Sequence, residues 1–155
     1  MRKTRSTEVN VDVDAGGRRL ALGVSAMRSL GEFVLRQECA RKALLALSFV
    51  SRGEMGRLNR RHLGHGGATD VITFAFGRGG RGLPVIGDIY IAPEVVREQA
   101  RRFGVEGREE LARVIVHGVL HALGMEHPEN GGRETSPMWR RQEWLLALAK
   151  REGLL

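Results

Sequence analysis

The chain has a single cysteine, Cys39, in 155 residues. An internal disulfide is therefore excluded, and such a chain suits a reducing compartment. Aromatic residues make up only 5%, so the core must be built mainly from aliphatic side chains. Lysine is scarce, with 3 among the 25 basic residues against 22 arginines. No uninterrupted apolar stretch is long enough to span a bilayer. No apolar run follows the basic start "MRKTRSTEVN" either, so a secretory signal is not expected. These absences predict a soluble cytoplasmic protein without a membrane partner. The length suffices for one domain, residues 1–155, around one sizeable core.

What the chain has in excess is positive charge. The net charge is +7 and the isoelectric point about 10.9. That balance favours polyanions, nucleic acid before an anionic membrane surface. A genome favouring arginine codons gives the same composition, so charge alone does not name the partner.

The patterning predicts alternating types of element without strict βαβ order. "EVNVDVD" (8–14) alternates as a strand does. Residues 25–42 read as a helix with Ser25 as N-cap and Met27, Leu30, Val34 and Leu35 inward. Cys39, in that segment, fits a small core residue. Residues 43–51 read as a buried strand and 52–65 as a short helix with Met55 and Leu58 inward. "TDVITFAF" (69–76) is rich in β-formers, "GRGGRGLP" (77–84) reads as a flexible loop, and 86–93 is a further strand. Helices follow over 93–104, 108–124 and 138–153. The expected class is α+β.

The chemistry concentrates in "HGVLHALGMEH" (117–127). His117 and His121 stand four residues apart in an otherwise apolar helix, so both rings lie on one face, about 6 Å apart along the axis. Two buried imidazoles need partners, and a shared metal ion satisfies both. Gly124 can take the left-handed conformation that ends the helix, which lets His127 return to the same point. Three imidazoles leave one position of a tetrahedral Zn²⁺ open, the mark of a catalytic rather than a structural site. The spacing is that of metzincin peptidases, except that Gly118 occupies the place of their catalytic Glu. A glycine there keeps a carboxylate from repelling an anionic substrate. Glu126 is the nearest carboxylate in sequence, able to act as a base, to orient an imidazole, or to stand free in the loop. No residue is assigned as the catalytic acid or base. His62 and His65 read as surface residues.

These motifs resemble the YbeY-type endoribonucleases over roughly residues 8–150. "HGVLHALGMEHPE" is similar to the family's H-G-x-L-H-x-x-G-[YF]-D-H signature, "TDVITF" to its T-[DN]-V-[LI]-[ST]-F strand and "GDIYIAPE" to its G-D-[IL]-x-I segment; "LNRRHL" and "MWRRQE" match further landmarks. The resemblance implies a zincin-like α+β fold. A small mixed four-stranded sheet would pack with helices around a central buried helix that carries two zinc ligands. It implies one Zn²⁺ held by His117, His121 and His127. It also implies single-strand-specific RNA cleavage in 3′ maturation of small-subunit ribosomal RNA and in ribosome quality control, with RNA and the ribosome as partners. This chain departs from the family at Leu63, where an Arg is common, at Gly66, where an Asp is common, and at Met125-Glu126, where an aromatic-Asp pair is usual. Arg60 and Arg61 stand near enough to Leu63 to replace the missing Arg as RNA contacts; Arg101, Arg102, Arg140 and Arg141 are further candidates for phosphates. Asp70 and Asp88, at strand starts, are candidates for orienting ligand imidazoles. Two alternatives remain open: a zincin-type metallopeptidase lacking the usual base, and a non-catalytic, zinc-stabilised ribosome assembly factor.

Overall fold

Alternation of apolar and polar residues makes Glu8–Asp14 a strand, β1, with Val9 and Val11 buried. The computed structural model describes residues 7–64, 66–129 and 131–155. The basic start, residues 1–6, and His65 lie outside the described residues. Helix α1 (Val24–Gln37) follows, burying Met27, Leu30, Val34 and Leu35 as their spacing predicts. Next come β2 (Lys42–Phe49), α2 (Arg52–Leu63), β3 (Val71–Gly80), β4 (Leu83–Ile91), α3 (Pro93–Phe103), α4 (Gly107–Ala122), a 3₁₀ turn (Arg133–Thr135) and α5 (Pro137–Arg151).

The four strands form one mixed sheet in the order β1-β2-β4-β3. β1, β2 and β4 run parallel, and β3 is antiparallel to β4. α4 packs on β3 and β4 and touches α1, α3 and α5, so it is enclosed by sheet and helices. Its residues Val114 to Leu120 are all buried. Leu45, Leu47, Ile89, Ile115, Leu120 and Leu145 are fully excluded from solvent and join sheet, α4 and α5 in one aliphatic core. Met55, Ile72, Ala92 and Val95 form a smaller core between α2, α3 and the sheet. The α+β class is as the patterning predicts, and the four-stranded mixed sheet around a central buried helix is as the family resemblance implies.

Four local expectations are corrected. The 77–84 segment is not a loop. β3 continues to Gly80 and returns at Leu83 through Arg81 and Gly82, both at positive φ (46° and 82°). Two left-handed central residues make the type I′ geometry that suits a two-residue hairpin, so glycine here serves the turn. α1 ends at Gln37 rather than 42, because Cys39 sits at φ 60° and breaks the helix. Cys39 is consequently exposed, not a core residue. Ser25 is not a cap: Gly23 holds that position, with no side-chain hydrogen bond. α2 does carry a full capping box, Ser51 and Glu54 each bonding the other's backbone.

Candidate metal centre

α4 ends as its sequence dictates. Gly124, at φ 95°, donates its N–H to the His121 carbonyl at 2.9 Å, and Met125 donates to Leu120 at 3.0 Å. This pair of bonds is the Schellman reversal. It carries His127 back beside His117 and His121. The three Nε2 atoms lie 3.0, 3.2 and 3.3 Å apart.

Each ring is oriented from its other nitrogen. His117 Nδ1 donates to Gln142 Oε1 at 2.6 Å, His121 Nδ1 to the Met125 carbonyl at 2.9 Å and His127 Nδ1 to the Pro128 carbonyl at 2.9 Å. A neutral imidazole has a single N–H. With each ring's single proton on the nitrogen that faces its acceptor, three lone pairs face one another with no hydrogen between them. Such an arrangement is repulsive unless a cation sits among them. Nitrogens at about 2.0–2.1 Å from one tetrahedral ion stand about 3.3 Å apart, close to the spacings here. The donor set therefore fits a metal ion. Burial, reinforced by the adjacent His121, pushes His117 down to about 3 from the ordinary 6.5. Burial and then His127 also lower His121. Both rings are thus neutral and ready to ligate at neutral pH.

The triad lies in a cleft of about 530 Å³, bordered by Thr73, Arg78, Glu126 and Arg133 among others. Arg133 Nη2 is 3.5 Å from His117 Nε2. Glu126 is exposed and pairs with Arg78 at 3.6 Å; it orients no imidazole. Asp70 borders the cleft and Asp88 lies within β4. Neither contacts a ligand ring, because Gln142 and two backbone carbonyls already hold all three Nδ1 atoms. Gln142 had a sequence signal: it lies on the same stripe of α5 as Met138, Leu145, Leu146 and Ala149, and a polar residue on a core face must find a partner. Arg78 was hidden in a Gly-Arg run, and nothing local marked Arg133. Leu63 borders the cleft, while Arg60 and Arg61 are exposed on the last turn of α2, outside its lining. Arg101 and Arg102 are exposed at the end of α3. Arg141 is engaged by Glu38 at 2.6 Å and lies 4.3 Å over the Trp144 ring.

Gly118 has a steric reason as well. A Cβ there would stand 2.8 Å from Ile89 Cγ2 and 3.4 Å from Val71 Cγ2. The glycine lets α4 approach the sheet, and any side chain would point into that interface. The Glu that a zincin peptidase needs at this place does not fit.

The comparisons with known proteins agree with this geometry. Residues 21–150 match the family model described as "Endoribonuclease YbeY". Proteins of that name from Syntrophus aciditrophicus and Geobacter metallireducens are each 30% identical, the first over 84% of both chains, the second over 89% of this chain and 94% of its own. One from Halalkalibacterium halodurans is 41% identical over 66% of this chain and 69% of its own. The solution structure of TM1509 from Thermotoga maritima superposes with a TM-score of 0.62 at 25% identity, covering 92% of this chain and 91% of that one. With the family match running from α1 through β2, β3, β4 and the histidine helix into α5, the chain belongs to the endoribonuclease YbeY family.

Proposed function

We propose that this chain is a zinc-dependent, single-strand-specific endoribonuclease that acts in 3′ maturation of small-subunit ribosomal RNA and in ribosome quality control. The observation that carries the reading is the convergence of three Nε2 atoms in an open cleft that Arg78 and Arg133 also line. His117, His121 and His127 are the ligands of one Zn²⁺. A divalent ion held there supplies Lewis-acid polarisation of a phosphoryl oxygen and acidification of water. Arg133 and Arg78 draw the phosphate toward the triad, in place of the arginine that Leu63 lacks. Arg60 and Arg61 extend positive charge beyond Leu63 for the flanking RNA. The ribosome is the partner that presents the substrate, and the cytoplasm is the compartment. No helix among the described residues is long and apolar enough to cross a membrane.

The test is cleavage of a 3′-extended small-subunit precursor by zinc-loaded protein, metal-stripped protein and a His117→Ala variant. The expected loss without metal or ligand is roughly 100-fold or more. Product ends free of 2′,3′-cyclic phosphate are expected for hydrolytic cleavage. Equal rates in all three samples would contradict the metal's role.

A further inference from the structure

β3 contains one irregularity. Val71, Thr73 and Ala75 pair with Ile91, Ile89 and Gly87 of β4, but Gly77 then pairs with Ile86 and Arg78 with Val85. The extra residue of this bulge, at Phe76, shifts the alternation by one. Val85 faces the same side of β4 as Gly87 and Ile89, so Arg78 lands on the α4 side of the sheet. In an unbroken ladder it would point away. Bulges commonly re-aim a side chain in this manner. The aliphatic part of Arg78 then lies against the turn after α4: a Cβ at Gly124 would meet Arg78 Cδ at 3.3 Å.

Arg78 borders two clefts. One is the metal cleft. The other, of about 1100 Å³, lies between the β3–β4 hairpin turn and the start of β2 and is bordered by Arg41, Lys42, Arg78 and Arg81. Among the described residues its carboxylates are Glu8 and Glu38, and Arg141 already holds Glu38 at 2.6 Å. Among the described residues no aromatic side chain borders it, so these residues offer charge for phosphates rather than a stacking platform for bases.

We propose that single-stranded RNA passing the metal cleft runs over Arg78 into this second cleft, where Arg41, Lys42 and Arg81 bind its phosphates without reading sequence. The proposal rests on the endoribonuclease reading and adds the path of the strand. The bulge makes Arg78 the hinge between the two binding surfaces, and the hairpin turn carries Arg81 to the far bank.

The exposed Cys39 borders the second cleft and serves as a reporter that does not depend on catalysis. Alkylation of Cys39 by iodoacetamide in the full-length, zinc-loaded protein should slow severalfold when oligouridylate of about 16 nucleotides is bound, and remain unchanged with about 4 nucleotides. In the Arg41→Gln/Lys42→Gln/Arg81→Asn variant the long strand should bind more weakly. The plot of log affinity against log salt should be shallower by about 2, as expected for three lost phosphate contacts. Circular dichroism melting confirms that the variant is folded; all three positions are exposed. An unchanged salt slope in the variant overturns the proposal. So does unchanged Cys39 alkylation with the long strand bound, or equal protection by polyglutamate, which would make the cleft a general anion surface. Cleavage of short strands by the unmodified protein tests the endoribonuclease reading separately: failure there removes that reading, whereas success with an unchanged salt slope removes only the path proposed here.

Discussion

Gln142 is the residue on which the geometry of the histidine cluster turns most clearly. Its amide oxygen accepts the hydrogen bond from His117 Nδ1–H, which places the lone pair on Nε2, while its nitrogen is directed at Glu143 at 3.4 Å. Gln142→Leu keeps the apolar packing of α5 but removes the acceptor. We expect zinc affinity to fall roughly 10- to 100-fold, with a thermal melt of the metal-free protein that stays cooperative. Isothermal titration with zinc measures it, and unaltered affinity would mean that helix packing alone orients the ring. The three histidines were legible in the sequence because their relation is local: two lie on one helix face and the third follows a glycine. The partners of their other nitrogens were not legible, because Gln142 arrives from a separate helix and the two carbonyls gain their roles only once the loop after α4 is folded.

Among the elements, α4 and the β3–β4 hairpin decide where the chemistry sits. The close approach of α4 to the sheet depends on Gly118, and Thr73 Oγ1 donates to the Gly118 carbonyl at 3.2 Å across the same contact. Gly118→Ala puts a methyl against Ile89, which is fully buried. Overpacking of this kind costs about 1–3 kcal/mol. That outweighs the gain of up to about 1 kcal/mol in helix propensity, so a lower urea midpoint is expected. A raised midpoint would show that the interface relaxes freely. α4 itself was legible as an apolar run stopped by glycine, and the inward faces of α1 and α2 followed from their spacing. The hairpin was not: Gly and Arg have weak strand preference, and β3 owes its last residues to pairing with β4. The early stop of α1 was equally hidden, since nothing in the local pattern forces Cys39 into a left-handed conformation.

For the molecule as a whole, the buried histidine cluster couples stability to pH. Burial and the adjacent His121 keep the folded His117 ring neutral down to about 3, while the unfolded ring takes up a proton near 6.5. In the metal-free protein the unfolded state therefore binds more protons between these values. Stability falls as pH drops through that window, by at most roughly 1.4 kcal/mol per pH unit from this ring, and the lowered His121 acts in the same direction. Urea midpoints of metal-free protein should decline from about pH 7 to about pH 5 and change little from about pH 7 to about pH 8. A flat profile below pH 6.5 would contradict the neutral, buried state of the ring.

Zinc X-ray absorption on the metal-loaded protein tests the central claim most directly. The account predicts one ion per chain, three imidazole nitrogens at about 2.0–2.1 Å and one further light atom that exchanges with solvent anions. Fewer than three imidazoles, or a fourth protein atom closing the coordination, would contradict it.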